Sequence, residues 1–292
     1  MKRPSRSFAL RALLAVGAAA FAVVVYVYVT LPDVRELAIV NPSSTAFMQL
    51  RQREAQREGR HVGHDQSWVP YSRISPNLTR AVLVAEDSAF WQHDGIDIEQ
   101  IRVSIETAIE HGGTIRGAST ITQQLAKNLY LSPSRDPFRK VRELIITRRL
   151  EAALTKARIL EIYLNVVEWG DGIWGAEAAS RRYFGVSASS LSRQQAALLA
   201  GALINPIRYN PGHPPPRLLR RQRIILARMG SVEPPAPEVS TAAPTWSPSD
   251  VRIEIIDDGP RGDLEGVEPR NGSTKSPRSA EGTEEPDSDP PD

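Results

Sequence analysis

From Trp68 to about Met229 the chain shows no sustained period-two alternation, and its apolar residues recur at helical spacing between short breaks marked by glycine and proline. That pattern restricts this stretch to a succession of α-helices, so the expected fold class is all-α. Ser75-Pro76 pairs a capping residue with a proline at the first helical position, where its missing N–H costs nothing. The helix so opened carries Leu78, Val82 and Ala85 on one side and brings Glu86 to its C-terminal end. Asp97 with Gln100 resembles a capping box ahead of Ile98, Ile101 and Ile105. Gly112, Gly113 and Gly117 mark a loop before Ser119, and Asp136-Pro137 caps a helix running through Arg139, Glu143 and Leu150. Further helices are expected over about 156–166, 176–183 and 192–203, interrupted by Gly170, Gly172 and Gly175.

Outside this core the composition divides the chain. Residues 12–29 hold no charge and no proline, close to the roughly 20 residues needed to span a bilayer as a helix. Lys2, Arg3, Arg6 and Arg11 precede them, which places the N-terminus in the cytoplasm and the remainder outside. A cleaved signal peptide competes through Ala18-Ala19-Ala20, but the apolar run continues beyond the usual signal core of about 7–15 residues. The expected organisation is a basic cytoplasmic stub (1–11), a transmembrane anchor (12–31), a polar juxtamembrane segment (32–67), a folded domain (68–230) and a tail (231–292). In the juxtamembrane segment Arg51, Arg53, Arg57 and Arg60 read equally as a solvated face or a lipid contact.

The tail carries 15 acids against 5 bases and 11 prolines, too little apolar surface to offset ordering entropy. Residues 1–230 carry 31 bases against 19 acids, a net +12 that suits anionic headgroups or a phosphorylated lipid. Nucleic acid, the generic partner of a basic domain, does not fit an anchored and exported one. The chain has no cysteine, hence no disulfide framework and no thiolate metal site.

Two runs concentrate chemistry. The first is Glu86-Asp87-Ser88-Ala89-Phe90-Trp91-Gln92-His93-Asp94-Gly95; the second, beginning 24 residues after Gly95, is Ser119-Thr120-Ile121-Thr122-Gln123-Gln124-Leu125-Ala126-Lys127-Asn128. At about 100° per residue, Thr120, Gln124 and Lys127 fall within about 60° of one another with Asn128 close by, while Ile121, Leu125 and Leu129 take the opposite side. One face can pack while the other offers hydroxyl, amide and ammonium groups suited to sugars and phosphates. An ordinary amphipathic surface helix has the same pattern. Arg139 and Glu143, four apart on the next helix, read equally as a local ion pair.

Together these runs resemble the first two signature motifs of the peptidoglycan glycosyltransferases (family 51). Arg139-Lys140-Val141-Arg142-Glu143 resembles the third, Ile159-Leu160-Glu161-Ile162-Tyr163-Leu164-Asn165 the fourth, and Arg193-Gln194-Gln195-Ala196-Ala197-Leu198-Leu199-Ala200, with Asn205-Pro206 and Asn210-Pro211, the fifth. The five cover about residues 68–229. With no Ser-x-x-Lys nucleophile motif of a transpeptidase, and with Glu168-Trp169-Gly170-Asp171-Gly172, the chain looks like a monofunctional member.

The resemblance implies a lysozyme-like helical domain behind one N-terminal transmembrane helix, at the cytoplasmic (inner) membrane with its catalytic domain extracytoplasmic. It implies polymerisation of lipid-linked disaccharide pentapeptide (lipid II) into β-1,4 glycan strands by one inverting displacement, releasing polyprenyl diphosphate. Glu86 is then the base. Asp87, Phe90 and His93 order its turn, and Ser119, Thr120, Gln123, Gln124 and Asn128 position sugars or phosphates. Lys127, Arg139 and Lys140 neutralise the diphosphate. Glu143 acts in the chemistry, orients the cations, or holds a divalent ion. No cofactor is required and no ligand cluster argues for a dedicated metal site, though Mg or Mn at the diphosphate is compatible. Partners are lipid II, the growing lipid-linked glycan, membrane lipids and proteins of the division or elongation machinery. Two rivals remain: a glycan-cleaving muramidase or lytic transglycosylase of the same fold, and a membrane-anchored scaffold of the wall-building machinery.

Overall fold

The computed structural model describes residues 6–60, 63–111, 117, 119–131 and 137–230. The tail from 231, the loop glycines 112 and 113 and the Asp136 cap lie outside the described residues. In chain order the helices are α1 (Arg6–Thr30), α2 (Ala46–Arg57), α3 (Pro76–Glu86), α4 (Ile98–His111), α5 (Ile121–Tyr130), α6 (Pro137–Ala153), α7 (Lys156–Val166), α8 (Ala176–Phe184), α9 (Arg193–Ala202) and α10 (Pro216–Arg228). Three short strands, β1 (Asp65–Gln66), β2 (Glu168–Gly170) and β3 (Ile173–Trp174), form the sheet, with β3 parallel to β1 and antiparallel to β2. Strands of two or three residues leave no alternation for a sequence to show, so the mostly helical expectation stands beside a sheet it did not anticipate.

α5 is the central element. Ile121, Leu125 and Leu129 are fully buried, and the helix packs on α2, α6 and α7. α3 packs on α9 and α10. Ser75 caps α3 as its sequence requires, its Oγ accepting from Asn77 N–H at 3.3 Å and donating to the Leu191 carbonyl at 3.1 Å. Asp97 caps α4 through Gln100 N–H at 2.8 Å, but the Gln100 amide donates to the Gly117 carbonyl instead of closing a capping box. α4 has no buried residue, and Ile98 and Ile109 are 72% and 77% exposed.

The segment expected to be a separate juxtamembrane stretch belongs to the folded body. Val34, Leu37 and Met48 lie in the same apolar core as α3 and α5. Arg158 of α7 reaches across to it. Its Nε donates to the Leu37 carbonyl at 2.7 Å and its Nη2 to Val40 O at 3.0 Å and Asn41 Oδ1 at 2.7 Å, while Glu161 pairs with Nη1. Two of the four arginines read as solvated or lipid-facing have protein partners: Arg51 bonds buried Glu168 at 3.1 Å and Asp171 at 3.0 Å, and Arg60 reaches Asp171 at 3.5 Å; Arg53 and Arg57 are exposed. A polar sequence hid this because its apolar contributions are few and widely spaced.

Asn165 ties α7 to the chain entering α3, accepting from Val69 N–H and donating to Val69 O, both at 2.9 Å. Gly175 stands directly against it at φ +82°, where a Cβ would lie 2.6 Å from the Asn165 carbonyl, so only glycine fits. α1 coincides with the apolar run of the sequence. Among the described residues, no helix is long and apolar enough to cross a membrane.

Candidate active site

The site begins where α3 stops. Asp87, buried at the C-cap, holds two elements at once: Oδ1 meets His93 Nε2 at 3.0 Å and Oδ2 accepts the Ile121 N–H at 2.9 Å. The second bond satisfies an orphan donor at the start of α5 and puts negative charge at a helix N-terminus, which favours it. His93 Nδ1 accepts the Gly95 N–H at 3.1 Å, so the imidazole proton sits on Nε2 and points at Asp87. Gly95 itself is irreplaceable: φ is +81°, and a Cβ would come within 2.6 Å of Thr147 Cγ2 and 2.8 Å of Glu151 Cγ. Phe90, fully buried, packs edge-on to Trp91 and His93 beneath the Lys156 ammonium, 4.4 Å from the ring centroid.

The carboxylate of Glu86 projects from this turn. Its Oε2 accepts from Gln124 Nε2 at 3.0 Å, and its Oε1 faces Arg221 Nη2 at 3.4 Å. A carboxylate only accepts, so the Gln124 amide must present its NH2 to Glu86, and its Oε1 accepts the Tyr163 hydroxyl at 2.9 Å. Burial holds the Tyr163 phenol well above its ordinary pKa, so it remains a donor. Desolvation raises the Glu86 pKa, against the Gln124 hydrogen bond and the Arg221 and Lys127 charges, which lower it; Asp87 adds to the rise.

A second wall is cationic. Lys127 of α5 is exposed, yet desolvation by the surrounding protein lowers its pKa. The Glu143 and Glu86 carboxylates oppose that, while Arg139 and Lys140 reinforce it, which places all five groups in one electrostatic neighbourhood. Glu143 is 4% exposed and pairs with Lys140 and, at 3.5 Å, with Arg139. The spacing Arg139, Lys140, Glu143 thus sets a buried acid against two cations on α6.

The second motif does not serve the cleft as a whole. α5 starts at Ile121, so Thr120 precedes the helix and does not share a helical face with Gln124 and Lys127. Thr120 and Gln123 form a buried capping box, and the Thr120 hydroxyl donates to the Gly95 carbonyl at 2.7 Å. Both brace the turn that carries Glu86. Ser119 is exposed just ahead of the cap and Asn128 is buried on α5. Two residues never singled out as site residues touch the centre: Tyr163, quoted only as part of a motif, and Arg221. The signal for Arg221 was its place between Leu218 and Ile225 on the buried side of α10.

Glu143 turns its oxygens to Lys140 and Arg139. Among the described residues, Asp87, His93 and Asp97 are the three side chains close enough to share an ion. Asp87 and His93 bond each other and accept from Ile121 and Gly95, and Asp97 Oδ1 accepts from Gln100.

This part-buried glutamate and its cations lie within residues 52–230, which match the transglycosylase family, to which this chain belongs. It is similar to proteins named biosynthetic peptidoglycan transglycosylase. The relative from Nitrosospira multiformis is 48% identical over 195 residues, 67% of this chain and 85% of that protein. That from Aromatoleum aromaticum is 53% identical over 189 residues, 65% and 82% of the two chains.

Proposed function

We propose that this chain polymerises a lipid-linked disaccharide pentapeptide into the β-1,4 glycan strands of peptidoglycan. The observation that carries the reading is one desolvated carboxylate, Glu86, in the field of Lys127, which itself lies in the field of Arg139, Lys140 and Glu143. Glu86 takes the proton from the acceptor's glucosamine 4-hydroxyl as that oxygen attacks the anomeric carbon of the lipid-linked donor. The C–O bond to the diphosphate breaks in the same displacement, inverting the anomeric centre, and polyprenyl diphosphate departs. A base whose pKa is raised towards the working pH is a better proton acceptor when ionised; a placed base supplies roughly 10²–10⁴-fold.

Charge developing on the leaving diphosphate is met by Lys127, Arg139 and Lys140, with Glu143 orienting them. Asp87, Phe90, His93, Thr120 and Gln123 hold the Glu86 turn, and Gln124 bonds the carboxylate. Ser119 and Asn128 face sugar or phosphate at the ends of the second motif. The fold is read as lysozyme-like, with residues 12–31 as a single-pass anchor, the N-terminus cytoplasmic and the catalytic domain outside the cytoplasmic membrane. Apolar length and flanking arginines support that topology.

A raised glutamate pKa also suits the general acid of a glycan-cleaving enzyme. Three cations around a neutral glycosidic bond would have no charge to meet. Incubating the detergent-purified protein with labelled lipid-linked disaccharide pentapeptide, beside Glu86→Gln, decides between the two. Polymer from the wild type and none from the folded variant supports synthesis with Glu86 as base. Fragments released from purified sacculi, without polymer, would reverse the direction of the reaction.

A further inference from the structure

Glu86 is held by a group that lies some 135 residues further along the chain, on a helix outside the signature runs. We propose that Arg221 of α10 is a positioning residue for glycosyl transfer, fixing the orientation and charge of the Glu86 carboxylate. The proposal rests on the reading of Glu86 as the base.

The geometry is a two-point grip. Arg221 Nη2 donates to the Ala85 carbonyl at 3.3 Å and faces Glu86 Oε1 at 3.4 Å. Ala85 O is among the last carbonyls of α3, which have no partner within the helix, and a cation there also meets the negative end of the helix dipole. One nitrogen, Nη2, therefore meets the backbone end and the side chain together.

Arg221 is placed for this contact and against its own hydrogen-bonding interest. Its Nε is buried without an acceptor, whereas Arg158, an arginine with a structural task, engages Nε, Nη1 and Nη2. A buried unpaired donor is rare in a native fold and marks a group retained for another reason. The neighbouring Arg217, Arg220 and Arg223 are exposed. Gly201 of α9 lies against this face of α10: a Cβ there would crowd Leu218 Cδ1 at 3.0 Å and make an ordinary contact with Arg221 Cγ at 3.6 Å.

The charged and titratable groups facing Glu86 are Arg221 from α10, Lys127 from α5, its neighbour Asp87 and, through Gln124, Tyr163 from α7. Arg221 and Lys127 are the cations among them. Removing Arg221 leaves the Gln124 hydrogen bond and Lys127 to favour the ionised carboxylate.

The test is steady-state polymerisation by the full chain in detergent, from pH 5 to 9, for wild type, Arg221→Gln, Arg221→Lys, Arg220→Gln and Glu86→Gln, with helix content checked by circular dichroism. Arg221→Gln is expected to lower kcat roughly tenfold with KM little changed and to move the acid limb upward by roughly one pH unit. Arg221→Lys returns the limb towards the wild type while kcat stays low, and Arg220→Gln matches the wild type. An acid limb unmoved in folded Arg221→Gln overturns the proposal whatever its kcat. Should that variant not fold, the lysine variant decides: a lowered kcat at unchanged KM supports the positioning role, and wild-type kcat overturns it. Polymerisation by Glu86→Gln would instead overturn the assignment of the base, a failure distinguishable from that of Arg221.

Discussion

Asp87 and His93 are bonded side chain to side chain at 3.0 Å, and the bond closes the turn that follows Glu86. The other Asp87 oxygen takes the Ile121 N–H, so one carboxylate locks the end of α3, the turn and the start of α5. Asn at this position has a single oxygen for two donors, and His93 cannot surrender its Nε2 proton without losing Gly95. Asp87→Asn should therefore lower stability by about 1–3 kcal/mol. Thermal melts should show that loss, with kcat reduced because Glu86 is displaced.

The pH–rate profile should be a bell narrowed from both sides. Glu86 must be ionised to accept a proton, and its raised pKa moves the acid limb above the ordinary glutamate range near 4.3. Lys127 must be charged to meet the diphosphate, and its lowered pKa moves the alkaline limb below the ordinary lysine range near 10.4. Initial rates across buffered pH check both limbs; an acid limb at the ordinary glutamate value would remove Glu86 from the role of base.

Loss of activity and gain of stability should coincide in Glu86→Gln. A carboxyl whose folded pKa is raised binds its proton more tightly in the native state than in the unfolded chain. The wild type therefore loses stability as pH climbs from the unfolded value through the folded one. Glutamine does not titrate, so the Tm of the variant relative to the wild type should rise across that window and then level. A difference that shrank with rising pH would contradict the assigned shift.

Arg51 should matter more than its place in a polar stretch suggests. It compensates Glu168, whose pKa burial already raises and Arg51 restrains. Arg51→Met should cost about 3 kcal/mol at neutral pH by leaving a buried carboxylate unpaired. The deficit should shrink in acid, where Glu168 takes up a proton, as denaturant melts at two pH values would reveal.

The helical layout was readable because long amphipathic runs and their caps are local properties: Ser75-Pro76 opens α3, and α7 occupies the 156–166 span expected of it. What escaped was decided by distant partners. Thr120 looks like one more polar position on α5 until the helix start is known, and then it is the cap. Residues 32–67 look detached because the burial of Val34, Leu37 and Met48 and the Arg158 bonds reveal their membership only in three dimensions. Glu86, Gln124, Lys127, Arg139, Lys140 and Glu143 are the residues that spacing and resemblance single out for the proposed site. Arg221 sat in a run of arginines in which helix packing alone picks out one.

The carbonyls of Leu31 and Pro32 accept from Arg149 at 3.3 Å, and those of Leu37 and Val40 from Arg158. The chain is thus gripped from the first residue after α1 onwards. With α1 in the bilayer, as proposed, the catalytic body has no leash on which to swivel. The elevation of Glu86 above the lipid surface is then built into the architecture, so a substrate carried by its own lipid tail would arrive at a mouth already set to its height.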